Sequence, residues 1–265
     1  MSGSESAEFD TSKPSIARVY DALLGGKDNF PADHAVVEHL AETVPEVAEV
    51  AKVNRAMLGR GVRYLAGVAG IKQFLDLGAG LPTMENTHQV AGALQPEARV
   101  VYVDIDPIAL AHGRTLVADE ERTTVVAADM RAPAAVLADP DVQQTIDFAE
   151  PVAVLLVGIL HHLHDDEDPA GIVDQYIAAV PAGSYVFITH FCDSGPEARE
   201  LEKSFLQFLG TGRFRTEEEI LGLFRGLDLV EPGLVYLPEW HPDGEVSSPL
   251  SIGQRLMVGG IARKV

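Results

Sequence analysis

The sequence contains a single cysteine, Cys192, in 265 residues, so no disulfide can form within the chain. Basic residues are also scarce, since 20 lysines and arginines stand against 40 aspartates and glutamates, for a net charge of −20. Because nucleic acids are bound through clustered cations, this balance argues against a nucleic-acid partner. The longest apolar run, at 152–160, is far shorter than the roughly 20 residues of a membrane-spanning helix. With no signal-peptide pattern at its start, the chain is expected to be cytoplasmic, with a small-molecule or protein partner and no membrane contact.

Three segments with different patterns follow one another along the chain. Residues 1–13 are polar, show no apolar periodicity and are predicted to be a disordered tail. Residues 14–69 place apolar side chains three or four positions apart, as at Ile16, Val19 and Leu23, which predicts an N-terminal helical cap. Residues 70–265 alternate short apolar runs with helical stretches, and we expect them to form one domain.

The apolar runs of the third segment predict β-strands at 73–77, 100–103, 123–127, 152–157, 185–189, 229–237 and 255–262. Helices are predicted between the first five of them, at 83–94, 107–118, 132–138 and 169–180. Such alternation builds βαβ units, in which the strands are parallel. Only a loop separates the last two runs, so those strands are antiparallel if they are neighbours. The expected fold class is α/β, with a mostly parallel seven-stranded sheet, a terminal antiparallel strand pair and the helical cap.

The most informative motif is Asp-Leu-Gly-Ala-Gly at 76–80, where a buried strand runs into a glycine loop. Dinucleotide folds use this geometry to place a pyrophosphate at a helix N-terminus. Here the carboxylate of Asp76 would repel a phosphate and attract an ammonium group, and Pro82 occupies the position of a third glycine. The motif therefore favours a cationic nucleoside without phosphate. The alternative is an ordinary strand-to-helix turn that contains glycine.

Acidic residues also end the next two predicted strands. Asp104 follows Gly80 by 24 residues, about the spacing at which an acid binds ribose hydroxyls in nucleotide sites. Asp129 is followed by the apolar Met130 at the end of the third strand. Asp106 is predicted to cap the helix that begins at Pro107, and a metal-binding pair of Asp104 with Asp106 is the alternative. Parallel strands deliver these acids to one edge of the sheet, where open α/β folds bind their ligands.

With these motifs, residues 70–265 resemble class I S-adenosylmethionine-dependent methyltransferases, which have a Rossmann-like fold. The whole chain, including 15–30, resembles an actinobacterial S-adenosyl methyltransferase family of the domain-of-unknown-function 574 type. The resemblance implies S-adenosyl-L-methionine as cofactor, with the methionine part at the glycine loop, ribose at Asp104, and adenine at Ile105, Asp129 and Met130. The loop after the fourth strand is expected under the transferring methyl group. The cofactor-binding residues implied are Asp76, Gly78, Ala79, Gly80, Asp104, Ile105, Asp129, Met130, Gly158 and Ile159.

A histidine cluster follows the fourth predicted strand, at His161, His162 and His164. Adjacent side chains such as His161 and His162 point apart in most backbones, so we predict no metal site. Both are candidates for a general base, because histidine titrates near neutral pH. The alternatives are a purely structural role and a methyl transfer that needs only in-line positioning of the acceptor.

The glycine pair at 25–26 lies beside polar and aromatic residues, a composition that suits a lid over a ligand. Tyr20, Asp28, Asn29 and Phe30 are the candidate lid residues for contact with cofactor or substrate. Alternatively, Tyr20 belongs to the core face of its helix, and Asp28 and Asn29 cap the next turn.

The sequence thus predicts an S-adenosylmethionine-dependent methyltransferase that acts on a small-molecule acceptor. One alternative is a non-catalytic module that senses the cofactor or its demethylated product. A nicotinamide-dependent oxidoreductase is a further alternative, which Asp76 and the missing third glycine disfavour. Without coiled-coil heptads, the sequence predicts no oligomeric state.

Overall fold

The computed structural model describes residues 10–83 and 85–265, so positions 1–9 of the predicted tail lie outside the described residues. The α-helices are α1 Ile16–Leu23, α2 Pro31–Thr43, α3 Val47–Arg63, α4 Thr87–Leu94, α5 Pro107–Leu116, α6 Pro133–Ala138, α7 Pro140–Thr145, α8 Pro169–Ala179, α9 Pro196–Leu209 and α10 Glu217–Gly222. The strands are β1 Gln73–Leu77, β2 Arg99–Asp104, β3 Thr123–Ala127, β4 Ala153–Val157, β5 Tyr185–Phe191, β6 Asp228–Leu229, β7 Val235–Tyr236 and β8 Met257–Arg263.

The strands form one sheet in the order β3-β2-β1-β4-β5-β8-β6, and β7 also pairs with β8. The first five strands are parallel, with Leu75 of β1 opposite Val101 of β2 and Val154 of β4. β8 runs antiparallel to β5 and to both short strands. The predicted fold class is therefore confirmed, a Rossmann-like sheet with antiparallel strands at one edge and helices before it.

The predicted strand at 229–237 is divided in the structure. Its ends form β6 and β7, which pair with different parts of β8. Pro232 and Gly233 lie between them, and a proline has no N–H to donate to a neighbouring strand. The described part of the chain therefore has eight strands, where the sequence predicts seven.

The helix predicted from Thr83 begins four residues later, at Thr87, so its predicted start was wrong. Asn86 occupies the cap position, and its backbone N–H donates to Oε1 of Gln89 at 3.0 Å. This reciprocal arrangement is a capping box, and it satisfies an N–H group that would otherwise lack a partner. Asp106 does cap α5 as predicted, since its Oδ1 accepts from the N–H groups of Ile108 and Ala109.

Each face of the sheet carries its own hydrophobic core. On one face, α1 to α4 and α9 pack around Phe74, Leu155 and Phe187. On the other, α6, α7, α8 and α10 pack against Leu75 and Val154. The N-terminal helices therefore share a core with the sheet, and this places them beside the carboxyl ends of its strands.

Within residues 10–83 and 85–265, no helix has the length and apolar character that a membrane crossing requires.

Candidate active site

A cavity of about 520 Å³ opens where the parallel strands end at their carboxyl termini. Segments after β1, β2, β3 and β4 form one side of it, and α1, α3 and α9 form the other. The predicted site residues that line this cavity are Tyr20, Asp76, Gly78, Ala79, Gly80, Asp104, Ile105, Asp129, Met130, Gly158, Ile159, His161 and His162. The fold thus brings together side chains that are more than a hundred residues apart in sequence.

Glycines give the floor of the cavity its shape. Gly78, Gly80 and Gly158 have φ values of +72°, +67° and +70°, a region that favours glycine. A Cβ at Gly78 would lie 2.5 Å from Cγ1 of Ile159, so only glycine fits between the two loops. A Cβ at Gly80 would meet no atom within 4 Å, which leaves space for a ligand against the backbone.

Asp104, the last residue of β2, is fixed by backbone N–H groups. Its Oδ2 accepts from Gly80 at 2.7 Å, and its Oδ1 accepts from Ile105 and Asp106 at 2.7 and 2.8 Å. Burial still raises the pKa of Asp104 above its ordinary value, because the desolvation outweighs these hydrogen bonds. Beside it, the side chain of Ile105 is 62% exposed at the mouth of the cavity and offers an apolar surface there.

Asp76 lies deeper, at the base of the glycine loop. Its Oδ2 accepts a hydrogen bond from the hydroxyl of Thr87 at 2.7 Å. Burial raises the pKa of Asp76 to about 6. Arg55 of α3 also lines the cavity, and its guanidinium donates to Oδ1 of Asn86 at 3.2 Å. A carboxylate and a guanidinium thus both line the cavity near the glycine loop.

Asp129 is held by an arginine two residues further on. Nη2 of Arg131 lies 2.7 Å from Oδ2 of Asp129, and its Nη1 lies 3.0 Å from Oε1 of Glu167. Hydrogen bonds from Arg131 lower the pKa of Asp129, so this carboxylate is ionised near neutral pH. Met130 is buried next to it, and its carbonyl accepts from the hydroxyl of Tyr176 at 2.8 Å.

His161 and His162 lie at the inner wall of the cavity, with ring centroids 4.2 Å apart. Nδ1 of His162 is 2.9 Å from the hydroxyl of Thr211, in the loop after α9. His161 is buried, and its Nδ1 has no hydrogen-bond partner among the described residues. Burial lowers the pKa of His162 to about 4 and that of His161 well below the ordinary value, so both rings are neutral near neutral pH.

Within the described ranges, no three His, Cys, Asp or Glu side chains converge in a way that would hold a metal ion.

A third histidine, His190, lies next to His161, and Arg215 is hydrogen-bonded to it. The sequence patterns pointed to neither residue as part of the site. Nδ1 of His190 donates to the carbonyl of Phe191 at 2.7 Å, and its Nε2 accepts from Nη1 of Arg215 at 3.0 Å. Burial lowers the pKa of His190 to about 3, so the ring stays neutral. Arg215 also donates to the carbonyls of Leu160 and Leu163 and so fixes the turn that carries His161 and His162. No sequence pattern links these residues, because they lie on separate elements.

Asn54 is the polar contact between α3 and the sheet. Its Oδ1 accepts from the hydroxyl of Thr189 at 2.6 Å, and its Nδ2 donates to the hydroxyl of Tyr20 at 3.0 Å. That tyrosine in turn donates to the carbonyl of Ala51. In the sequence, Asn54 stands out as a polar residue on the apolar stripe of α3. The sequence alone does not show which residues its side chain contacts.

Asp28, Asn29 and Phe30 do not line the cavity, unlike Tyr20. Asn29 donates to Oδ2 of Asp21 at 2.7 Å, and Oδ2 of Asp28 lies 3.4 Å from Nδ1 of His112 on α5. The ring of Phe30 lies under the guanidinium of Arg18, 5.4 Å from the centroid, and packs against α5. These three residues hold the connection between α1 and α2 in place, so they support the wall of the cavity from outside.

The mostly parallel sheet, the glycine loop after β1 and the acids at the ends of β2 and β3 place the chain among Rossmann-like folds with a ligand site at the carboxyl ends of the strands. A family model described as S-adenosyl methyltransferase matches residues 2–265. The chain belongs to this family, of the DUF574 type, and it is an S-adenosyl-L-methionine-dependent methyltransferase. The family overturns the alternative of a nicotinamide-dependent oxidoreductase.

Solved structures agree with this assignment. A protein of Thermobifida fusca YX, assigned as a methyltransferase, is 51% identical with a TM-score of 0.94 over 96% of both chains. A DUF574 family protein of Streptomyces avermitilis MA-4680 is 38% identical with a TM-score of 0.93, over 97% of this chain and 99% of its own.

The chain is also similar to a more distant methyltransferase, and this similarity concerns the fold alone. The 1,6-didemethyltoxoflavin-N1-methyltransferase of Burkholderia thailandensis, solved with 1,6-didemethyltoxoflavin and S-adenosylhomocysteine, is 20% identical with a TM-score of 0.51, over 87% of this chain and 88% of its own. A search of curated proteins found no match to the chain.

The residues present fit S-adenosylmethionine. The space over Gly80 accommodates a ligand against the backbone, and the buried carboxylate of Asp76 suits an ammonium group. Asp104 offers carboxylate oxygens for hydroxyl donors beside the loop.

Proposed function

We propose that the protein transfers the methyl group of S-adenosylmethionine to a small-molecule acceptor bound in the same cavity. The observation that carries this proposal is the extent of the cavity. It continues from the glycine loop to Phe205 and Leu209 of α9 and Met257 of β8. The side chains at that end are apolar and are not among the residues that suit the cofactor, so they leave room for a second molecule. A module that only senses the cofactor has no need of this space.

We propose that the ten residues named from the sequence hold the cofactor. In this arrangement Asp76 faces the ammonium group, Asp104 accepts from the ribose hydroxyls, and Asp129 accepts from the adenine amino group. Ile105 and Met130 pack on either side of the adenine ring, while the turn at 158–159 lies below the methyl group. The support is that all ten line one cavity, with Asp104 and Asp129 already oriented by hydrogen bonds.

Bound in this way, S-adenosylmethionine supplies a methyl group on a positively charged sulfur, which a lone pair of the acceptor displaces. The protein's contribution is to hold the acceptor in line and to exclude water, which lowers the entropic part of the barrier. α1 covers the cavity with Val19 and Tyr20, and the buried ion pair of Arg18 with Asp33 of α2 holds that helix in place. His161 and His162 are neutral, but burial lowers their pKa values and makes them weak proton acceptors, so the proposal rests on positioning of the acceptor.

A small molecule is also the acceptor that the charge of the chain favours. At a net charge of −20, long-range repulsion disfavours polyanions such as RNA. The helices over the cavity leave about 520 Å³, which is within the range of small-molecule sites. We propose that cofactor and acceptor meet in the cytoplasm, where S-adenosylmethionine is available.

Isothermal titration calorimetry with S-adenosylmethionine, S-adenosylhomocysteine and NAD tests the cofactor site. We expect micromolar binding of both sulfur nucleosides and no binding of NAD. Incubation with methyl-labelled S-adenosylmethionine and separate pools of small metabolites, protein and RNA then tests the acceptor class. Label in the small-metabolite fraction supports the proposal, and label found only on protein or RNA contradicts it.

A further inference from the structure

One face of α3, in the helical cap, borders the cavity. The residues of α3 that line it recur three or four positions apart and are Val47, Val50, Ala51, Asn54, Arg55 and Leu58. This spacing places them on one side of the helix. Arg55 is the charged member of the set, and it is half-buried. The helical cap thus brings a positive charge to a cavity whose acids come from the strands of the sheet.

The guanidinium of Arg55 is fixed against the segment that follows the glycine loop. Its Nη2 donates to Oδ1 of Asn86 at 3.2 Å, and the same oxygen accepts from the backbone N–H of Thr83 at 3.0 Å. Nδ2 of Asn86 in turn donates to the carbonyl of Thr83 at 2.6 Å. An amide oxygen carries no net charge, so the contact with Asn86 orients the guanidinium without neutralising it.

Arg55 and Asp76 border the same part of the cavity. Both also line a small neighbouring cavity of about 30 Å³, together with Gly80. Burial raises the pKa of Asp76 to about 6, and a hydrogen bond from Thr87 and the positive charge of Arg55 oppose that rise. Two side chains of opposite charge therefore stand near the open backbone of Gly80, one from the helical cap and one from β1.

A carboxylate bound beside the glycine loop needs such a positive charge. Asp76 and Asp104 would repel it, and a charge taken out of water without a partner is costly. Arg131 is the other arginine among the described residues that line the cavity. It follows β3, two strands away from β1, and is paired there with Asp129 and Glu167. Arg55 is therefore the arginine placed to serve the glycine loop.

We propose that Arg55 binds the carboxylate of the methionine part of S-adenosylmethionine, while Asp76 faces its ammonium group. This inference rests on the proposed function, and it makes Arg55 the residue by which the site selects a cofactor with an intact amino-acid end. A guanidinium suits this role because its planar N–H groups match the two oxygens of a carboxylate. Since Arg55 belongs to α3, the cofactor site is complete only with the helical cap in place.

Two ligands that differ only in this carboxylate test the proposal on the full chain. S-adenosylhomocysteine carries the carboxylate, and decarboxylated S-adenosylhomocysteine keeps the ammonium group, the sulfur and the adenosine. By calorimetry near neutral pH, we expect the unmodified chain to bind S-adenosylhomocysteine about tenfold more tightly than the decarboxylated ligand. Equal affinities for the two ligands would overturn the proposal.

The variant Arg55→Gln removes the charge and keeps a polar side chain. We expect its affinity for S-adenosylhomocysteine to fall about tenfold, while the decarboxylated ligand binds as it does to the unmodified chain. If Arg55 only held Asn86 in place, the variant would weaken both ligands equally, and that outcome would also overturn the proposal. Arg63→Gln is the matched control on the same helix, because Arg63 pairs with Asp243 and does not line the cavity. It should leave both affinities unchanged.

If Arg55→Gln does not fold, the ¹⁵Nε resonance of Arg55 in the unmodified chain decides. It must differ between the complexes with the two ligands, and identical resonances would overturn the contact. Failure of the proposed function shows separately, when the preference for the carboxylate is present but the methyl label reaches only protein or RNA. A chain that binds neither ligand would overturn both the proposed function and the role of Arg55.

Discussion

The backbone N–H of Gly80 donates to Oδ2 of Asp104 at 2.7 Å, which joins the glycine loop after β1 to the last residue of β2. Oδ1 of the same carboxylate accepts from Ile105 and Asp106. Because three N–H groups fix this side chain, its oxygens are oriented before any ligand arrives. Little orientation entropy then remains to be lost when hydroxyl groups bind to it.

Replacing Asp104 with alanine should therefore weaken binding of S-adenosylhomocysteine by about 1–3 kcal/mol, through lost hydrogen bonds to a charged acceptor. Calorimetric titration measures this difference directly. Asp119→Ala, at an exposed turn outside the cavity, is the matched control and should bind as the unmodified chain does. An unchanged affinity in Asp104→Ala would remove this residue from the ribose site.

The affinity for S-adenosylhomocysteine should rise with pH through the titration of Asp76. Burial raises the pKa of Asp76 to about 6, and an ammonium group binds only the ionised carboxylate strongly. Near pH 5 about one molecule in ten carries the ionised form, so we expect roughly tenfold weaker binding than near pH 7.5. Calorimetry across this interval measures the change.

Asp76→Asn is the control for this pH dependence. Its amide oxygen still accepts from Thr87, but it does not titrate, so its weaker binding should vary much less between these pH values. The same raised pKa means that Asp76 stabilises the folded chain fully below about pH 3.8 and that this contribution is lost as pH rises through about 6. A binding profile equally steep in both chains would show that another group titrates.

Two glycines of the loop should respond differently to alanine. Both residues have positive φ, which costs alanine about 1–2 kcal/mol. At Gly78 the added Cβ also meets Ile159 at 2.5 Å, so Gly78→Ala should lose a further ~1–3 kcal/mol of stability. At Gly80 the Cβ enters open space, so Gly80→Ala should fold and instead lose cofactor affinity.

Thermal unfolding and calorimetry separate these two effects. Gly92→Ala in α4, where a Cβ also meets open space, is the control and should bind the cofactor normally with slightly higher stability. Normal cofactor affinity in Gly80→Ala would show that no ligand approaches the backbone there.

The ion pair between Arg18 and Asp33 should be important for stability. Nε of Arg18 lies 3.1 Å from Oδ2 of Asp33, and both side chains are almost fully buried. Asp33 also accepts from the N–H groups of Ser15 and Phe30. Asp33→Ala leaves a buried charge and two donors without partners, so the free energy of unfolding should fall by about 3–5 kcal/mol.

Chemical denaturation measures this loss. The double variant Arg18→Leu with Asp33→Leu should recover part of it, because neither charge then remains buried. Glu97→Ala is a second control: it removes the exposed pair with Lys72 and should leave stability nearly unchanged. Equal losses from Asp33→Ala and the double variant would show that the two charges do not interact.

Local patterns in the sequence were enough for the fold class and for the side of the cavity that the glycine loop and the acids form. β1 and β3 have the predicted bounds, and α5 begins at the predicted Pro107. The glycine loop and the acids at Asp104 and Asp129 meet at one edge, because parallel strands joined by helices all end on the same side of a sheet. These features depend on periodicity and connection rules that act over a few tens of residues.

The other side of the cavity was decided by tertiary packing. Asn54 meets Thr189 across 135 positions, and Arg215 reaches His190 from a loop after α9, a helix that the sequence did not predict. Asp28 lies in a segment whose composition suits a lid over a ligand. In the structure, however, its carboxylate lies 3.4 Å from Nδ1 of His112 on α5. The sequence by itself determined the alternation of the first five strands with helices and the position of the glycine loop and the acids. Only the packing of the helices on the sheet decided which polar side chains face the cavity, because that depends on how distant apolar surfaces fit together.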